Sequence, residues 1–210
     1  MAAKKEVKAL DTTTEAKIKN AARTVFHKKG YAATRTRDIA EEAGINLALL
    51  NYYFRSKEKL FNIIMTETMS GFAQNMVVVL NDEKTTLGKK VELIASNYID
   101  LITLEPEIPT FIISEIRNNP DSLLEKLPVK QILHNSIFVK QHQNAVAEGK
   151  IAEPNPLHFL MNVIGLVVFP FIAKPLLKGI GNIKEVQFDQ LMQERKRLIP
   201  VWIKAMMKAK

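Results

Sequence analysis

The sequence contains no cysteine among its 210 residues. Disulfide bonds, thiolate nucleophiles and cysteine zinc sites are therefore excluded, and a reducing cytoplasm suits the composition. The four histidines (His27, His134, His142 and His158) lack the close i, i+4 spacing and the paired carboxylates of a metal site. No phosphate loop, nucleophile elbow or dinucleotide glycine pattern occurs. We therefore predict no catalytic residue, no metal and no cofactor, and we do not expect an enzyme.

Long hydrophobic runs are also missing. The longest uncharged apolar segment, FLMNVIGLVVFPFIA at 159–173, has fifteen residues, whereas a spanning helix needs about 20. It is predicted to be a helix buried in a core or at an interface. The N-terminal MAAKKEVKALDTT has no apolar stretch of signal-peptide length. We therefore expect a cytoplasmic protein without a membrane partner.

Positive charge is concentrated at the N-terminus. The net charge is +8, and residues 1–60 hold 13 Lys/Arg against 7 Asp/Glu, a balance of +6. Residues 61–210 hold 17 against 15, a balance of only +2. A basic first quarter followed by a nearly neutral remainder is typical of a DNA-binding domain joined to a domain with another task.

The segment TRTRDIAEEAGINLALLNYYFRSKEKLF at 34–61 is typical of a helix-turn-helix. Thr34 is predicted to cap the first helix, and Asp38 lies in its first turn, where a carboxylate favours the positive end of the helix dipole. Gly44 supplies the backbone freedom of the turn. A small apolar edge, which lets the two helices approach closely, is formed by Ile39, Ala40 and Ala43.

The second helix of this motif has one apolar and one polar side. Asn46 can cap it, and Leu50 and Phe54 are spaced four residues apart and should face inward. The opposite side should then be available to bases and phosphates. It consists of Leu47, Ala48, Asn51 and Tyr52.

Residues 14–65 resemble the N-terminal DNA-binding domain of the TetR/AcrR family of transcriptional regulators. The resemblance rests on Gly30-Tyr31, the RDIA box at 37–40, Ala43-Gly44, the YYF run at 52–54 and the SKE-L pattern at 56–60. It covers about a quarter of the chain. It implies an all-α protein with an N-terminal three-helix helix-turn-helix domain and a C-terminal helical domain for ligand binding and dimerisation.

By position, the resemblance implies DNA contacts at the start of the helix-turn-helix, along its second helix and at the start of the next helix. Arg37 matches a position that can also reach a base edge. Lys57 opens the next helix, whose N-terminal amides also favour an anion. The implied DNA-binding residues are Arg35, Thr36, Arg37, Asn46, Leu47, Ala48, Asn51, Tyr52, Tyr53 and Lys57.

Two positions depart from the family pattern. Position 51 is usually aromatic, but Asn51 can bind adenine through two hydrogen bonds. Leu47 and Leu49 are apolar where polar residues are common, which indicates contact with a thymine methyl group or simple packing; for Leu49 packing is favoured.

Periodicity and Pro/Gly breaks predict about nine helices, at 14–29, 34–43, 46–54, 57–80, 85–104, 108–118, 129–148, 157–177 and 185–208. We assign residues 1–55 to the DNA-binding domain and residues 56–210 to the effector-binding and dimerisation domain. The helix at 57–80 would link the two.

The last two predicted helices offer the best dimerisation surface, because a helix that is apolar on all sides is difficult to bury in one small domain. The resemblance implies that the pair forms a four-helix bundle with the same pair of a second copy. Residues predicted at the interface are Leu160, Ile164, Val168, Leu191, Leu198 and Trp202.

An effector cavity is expected among the helices from 57 to 177, although for each lining residue taken alone a place in the plain core is favoured. Methionine and phenylalanine with a few polar groups suit an apolar or amphipathic ligand. The predicted lining residues are Phe72, Met76, Tyr98, Phe111, His134, Phe138, Asn162 and Phe169.

The sequence thus predicts a ligand-responsive regulator that binds double-stranded DNA at a palindromic operator as a homodimer and is released by a small-molecule effector. Repression is favoured over activation, which stays open. A sequence-independent DNA-binding protein and a small-molecule carrier are the alternatives from other classes.

Overall fold

The computed structural model describes residues 2–118, 120–121 and 136–208, and the side chains of these residues except 2–12 and 72. Over these ranges the chain forms ten α-helices and no strand, so the predicted all-α class is confirmed. The helices are α1 Ala2–Ala33, α2 Thr36–Glu42, α3 Leu47–Tyr53, α4 Lys57–Asn81, α5 Leu87–Leu104, α6 Ile108–Asn118, α7 Ile137–Ala147, α8 Pro156–Ile172, α9 Lys174–Gly181 and α10 Glu185–Met206.

The predicted helix bounds agree closely from α2 to α6 and for α10. α1 begins at Ala2 instead of residue 14, and its helical backbone is interrupted at Gly30, where φ is 69°. Only a glycine reaches this left-handed region without strain. The predicted helix at 129–148 corresponds to α7, and its first part lies outside the described residues.

The chain packs into two compact units. Unit 1 comprises the residues up to Ser70 together with Thr110–Pro120, and unit 2 comprises Gly71–Pro109 with the residues from Asp121 onward. The boundary therefore falls inside α4, and most of α6 belongs to unit 1. The assignment of DNA binding to residues 1–55 and of effector binding to 56–210 stays a prediction about function.

Unit 1 is held together by aromatic contacts among α1, α4 and α6. The Phe61 ring lies 5.0 Å from Phe26 and 5.8 Å from Phe111. Between α1 and α4, His27 Nε2 is 2.9 Å from Thr68 Oγ1, and the centre of the His27 ring lies 4.7 Å from that of Phe111, with the two rings tilted by 48°. Burial and the nearby Arg23 guanidinium lower the pKa of His27 to about 4, so this imidazole is neutral inside the unit.

Unit 2 has a core of aliphatic and aromatic side chains, in which α5 packs most extensively against α10 and α8. Lys196 on α10 also forms an ion pair with Asp100 on α5. Lys90 is fully buried at the α4–α5 corner, where its ammonium donates to the Thr85 Oγ1 at 2.7 Å and to the Asp82 carbonyl. Burial lowers the Lys90 pKa.

The prediction of one helix at 157–177 was wrong, because the helix ends at Ile172 and α9 continues at an angle of 71°. Pro175 explains the break. Its nitrogen carries no hydrogen to donate to the Phe171 carbonyl, and its ring collides with that carbonyl if the helix continues. Pro175 instead stands in the first turn of α9, where a proline is tolerated.

A second proline, Pro170, lies inside α8 and removes the hydrogen bond that the Leu166 carbonyl would accept. Arg195 of α10 replaces it, because its Nη2 donates to the Leu166 oxygen at 2.7 Å. The guanidinium also lies over the Trp202 ring, 5.0 Å from its centre. The Leu166 carbonyl of α8 thus accepts a hydrogen bond from the Arg195 guanidinium of α10.

By length and composition alone, α4 could cross a membrane, and so could α8 and α9 if the bent pair counts as one span. The core helices of other proteins pass the same test. Leu60, Ile64 and Met69 of α4 are buried in unit 1, as expected of a core helix.

Candidate nucleic-acid interface

The helix-turn-helix begins at Arg35, one residue later than predicted. Arg35 is the residue before the first turn of α2, and its backbone N–H donates to Asp38 Oδ2 at 3.0 Å. Thr34 is buried, and its hydroxyl donates to the Gly30 carbonyl at 2.6 Å, so Thr34 closes the end of α1 and does not cap α2. The Arg35 N–H and the Lys29 ammonium lower the Asp38 pKa.

The turn after α2 has the expected glycine. Gly44 has a φ of 60°, and the Ile45 N–H reaches back to the Ala40 carbonyl at 3.0 Å. The predicted small apolar edge is buried: Ile39, Ala40 and Ala43 are almost inaccessible. The two helices of the motif therefore pack as the spacing predicts.

α3 is capped and oriented as its sequence predicts. The Asn46 side chain accepts the Leu49 N–H at 2.8 Å. Leu50 and Phe54 are both buried, so one side of this short helix is fixed in unit 1. The opposite side consequently points to solvent.

The structure brings most of the predicted DNA-binding residues of α2 and α3 to the surface. Tyr52 is 76% exposed, and its ring meets the Tyr53 ring edge-on at 5.4 Å. The exposed residues are Arg35, Arg37, Asn46, Ala48, Asn51 and Tyr52, and the partly buried ones are Thr36, Leu47 and Tyr53. That these side chains contact DNA stays a prediction.

Lys57 is the exception, because its ammonium points into unit 1. Nζ donates to the Tyr31 carbonyl at 2.9 Å and to the Thr34 carbonyl at 3.0 Å, and it lies 4.1 Å from the centre of the Tyr31 ring. Two of the three ammonium hydrogens are thereby used within the protein. Lys57 fixes the segment between α1 and α2 and has at most one hydrogen left for a phosphate.

One basic residue was absent from the predicted set. Arg55 follows Phe54 at the end of α3 and is exposed. Its position at the edge of the exposed α3 side suits a phosphate contact. The sequence carried the signal, since an arginine within one residue of a recognition helix adds to the local positive charge.

The predicted dimerisation residues of unit 2 do not all share one face. Leu160 is 5% exposed and belongs to the core, because it lies on the inward side of α8 with Val163 and Val167. Val168, Leu198 and Trp202 are partly buried. Ile164 and Leu191 remain 42% and 44% exposed. Leu157 and Met161, two further apolar residues of the predicted α8 surface, are exposed as well.

The predicted ligand-lining residues are dispersed. Phe111 packs in unit 1, whereas Tyr98 and Phe138 are buried in the core of unit 2. Burial raises the pKa of the Tyr98 phenol. Phe169 is 60% exposed on α8. Met76 packs at the edge of the core of unit 2. His134 and the side chain of Phe72 are outside the part of the chain that the structure describes.

Asn162 does line a cavity of about 30 Å³ in unit 2, beside the ends of α7, α8 and α10. A cavity of this size takes roughly one water molecule. His142 is fully buried there, and both its ring nitrogens lack a hydrogen-bond partner among the described residues. Burial lowers the His142 pKa, while the nearby Glu153 opposes the shift. The space is too small for a larger effector in this conformation.

In unit 1, the apolar sides of α2 and α3 are therefore buried and the opposite side of the recognition helix α3 is exposed. This arrangement defines a helix-turn-helix DNA-binding protein. The sequence model described as "Bacterial regulatory proteins, tetR family" matches residues 18–64. Residues 18–64 are therefore a DNA-binding domain of the tetR type, and the chain is a DNA-binding transcriptional regulator.

Similar proteins agree with this assignment along nearly the whole chain. YttP of Bacillus subtilis, described as a probable HTH-type transcriptional regulator, is 21% identical over 93% of this chain and 95% of its own. The crystal structure of HlyIIR, a hemolysin II transcriptional regulator, has a TM-score of 0.61 at 19% identity and covers 95% of this chain and 99% of its own. FadR from Bacillus subtilis in complex with stearoyl-CoA has a TM-score of 0.58 at 20% identity and covers 88% and 96%. The two structures establish the shared fold.

Proposed function

We propose that this protein is a homodimeric repressor that binds a palindromic operator and is released by a small apolar or amphipathic effector. The observation that carries the DNA-binding part is the orientation of α3. Its inner residues Leu50 and Phe54 are buried, and Asn51 and Tyr52 point to solvent. A helix held in this way can enter a major groove without rearranging its own unit.

The homodimer is supported by apolar residues that α8 and α10 leave uncovered. Met161 and Ile164 on α8 and Leu191 and Val201 on α10 are each more than two-fifths exposed. Large apolar patches on a surface are typical of protein interfaces. A two-fold dimer would place two recognition helices about 34–36 Å apart, one turn of DNA, and would require a palindrome.

The proposed effector class is based mainly on the similarity of this fold to that of FadR. FadR, which shares the fold, was crystallised with stearoyl-CoA, so a long-chain acyl compound is the first effector to test. An effector releases DNA only if it binds the released arrangement more tightly than the DNA-binding one. We infer that α4 transmits this difference, because its residues contribute to both units. A cytoplasmic location follows from this function.

A selection experiment tests the proposal. The purified protein is used to enrich sequences from a random duplex pool at low salt, and its mass is measured by light scattering. We expect a palindromic site and a dimer. Fluorescence anisotropy on the enriched site should then show at least tenfold weaker binding with stearoyl-CoA and no change with coenzyme A alone. Enrichment without dyad symmetry, or a monomer on DNA, would contradict the proposal.

The direction of regulation needs its own measurement. In vitro transcription from a promoter that carries the enriched site should decrease when the protein is added and recover with effector. An increase on addition of protein would favour the activator alternative.

A further inference from the structure

The exposed side of α3 carries no charge, and this restricts which bases it can read. Between Leu47 and Tyr53 there is no lysine, arginine, aspartate or glutamate. Guanine is most often recognised by arginine or lysine on its O6 and N7, and cytosine by a carboxylate on its N4. Neither contact can come from α3.

The asparagine that precedes α3 is also restricted. The Asn46 carbonyl oxygen already accepts the Leu49 N–H at 2.8 Å. This bond uses one of the two lone pairs of the oxygen and holds the amide in its capping orientation, which disfavours the paired donor and acceptor contact with adenine. Its role is to begin the helix.

Asn51 keeps both functions of its amide. The Asn51 side chain is exposed, and its amide makes no hydrogen bond within the described part of the chain. An amide that can donate to N7 and accept from the N6 amino group matches adenine in the major groove. Ala48 and Leu47 lie on the same side, three and four residues earlier, and an apolar side chain there suits the thymine methyl group.

We propose that α3 reads A·T base pairs, with Asn51 on adenine and Ala48 or Leu47 against a thymine methyl. This inference rests on the proposed function, since it specifies the DNA that the recognition helix contacts. Any G·C pair in the operator would then be contacted from outside α3, where Arg37 and Arg55 are exposed.

Modified bases test each contact separately. In the enriched operator, every adenine is replaced in turn by 7-deaza-adenine, which lacks the N7 acceptor, and every thymine by uracil, which lacks only the methyl group. We expect one adenine and at least one thymine per half-site to be sensitive. Asn51→Ala should weaken binding to the unmodified site about 5- to 100-fold. On the operator with 7-deaza-adenine at the sensitive position, the same variant should bind almost as well as the wild type.

Asn62→Ala is the matched control, because it removes an exposed asparagine of α4 in the same unit. It should leave the pattern of sensitive bases unchanged. The inference is overturned if no base modification weakens binding, or if Asn51→Ala weakens binding by the same factor on modified and unmodified DNA. Neither result would contradict the proposed palindrome or dimer. If the pool yields no palindromic site, the proposed function fails and the inference fails with it.

Discussion

The contact between Arg195 and the Leu166 carbonyl gives the sharpest prediction about stability. The perturbation is Arg195→Met, which keeps an unbranched apolar stem and removes the donor. The Leu166 oxygen would then lose the Arg195 donor that replaces the hydrogen bond Pro170 cannot supply. A hydrogen bond from a charged group contributes about 1.5–3 kcal/mol, so we expect the free energy of unfolding to fall by about 2–3 kcal/mol.

A double-mutant cycle isolates this contact. Pro170→Ala restores a backbone N–H at position 170, so the Leu166 carbonyl can accept its ordinary bond within α8. In the Pro170→Ala background, Arg195→Met should therefore cost about 1–2 kcal/mol less than in the wild type. The residual cost would come from the contact with Trp202.

Urea unfolding followed by circular dichroism at 222 nm measures all four proteins at one fixed concentration. Arg197→Met removes an exposed arginine from the same helix and should change the free energy by less than about 0.5 kcal/mol. Equal costs of Arg195→Met in both backgrounds would refute the role assigned to Pro170. A cost no larger than that of the control would refute the contact itself.

Three further predictions concern the two units. Lys57→Met should weaken binding to all DNA sequences. It should change the slope of log K against log salt by less than the ~0.9 expected for a lost phosphate contact, because the Lys57 ammonium donates to backbone carbonyls. A full change of slope in DNA titrations would contradict this. His27 has a pKa of about 4 in the folded state against an ordinary value of 6.5. Because the unfolded chain takes up this proton first, stability should be highest above pH 6.5 and fall by ~3 kcal/mol as the pH drops toward 4. His27→Gln should flatten that part of a stability profile measured by urea unfolding, and an unchanged profile would exclude His27 as the cause. Ile164→Glu should give a monomer in light scattering, whereas Val78→Glu, an exposed position of α4, should not; a dimeric Ile164→Glu protein would exclude α8 from the interface.

The helix-turn-helix could be predicted because all its determinants are local. The capping of α3 by Asn46 needs a partner three residues away, and the inward pair Leu50 and Phe54 is separated by one helical turn. The turn could be placed at Gly44 because a tight turn after a helix often needs a positive φ, and glycine adopts the observed φ of 60° without strain. The error of one residue at Thr34 has the same origin, because two neighbouring residues can each satisfy a helix end.

The contacts of Lys57 could not be predicted in this way. Its two carbonyl acceptors lie 23 and 26 residues earlier in the chain. Nothing in the local sequence distinguishes a lysine that points to solvent from one that folds back over a tyrosine ring. The family resemblance alone placed it on a phosphate.

The predicted ligand-lining residues lie apart in the structure for another reason. Phenylalanine, methionine and tyrosine occur in cores and in cavities alike, and periodicity gives the face of a helix but not the neighbour of that face. Phe111 faces inward as expected, yet its neighbours are His27 and Phe61 of unit 1. By contrast, the break after Ile172 was within reach, because Pro175 cannot continue a helix.

An uncharged recognition helix has a consequence for how binding energy is distributed. If α3 supplies only hydrogen bonds and methyl contacts, it contributes discrimination between sequences, while the attraction to phosphate must come from cations outside it. Arg35, Arg37 and Arg55 lie outside α3 and are exposed, whereas Lys57 is engaged within the protein. The salt dependence of binding should therefore follow the arginines and the sequence preference should follow Asn51. In the proposed dimer, two copies on one palindrome would double both contributions, so a single copy should bind more weakly.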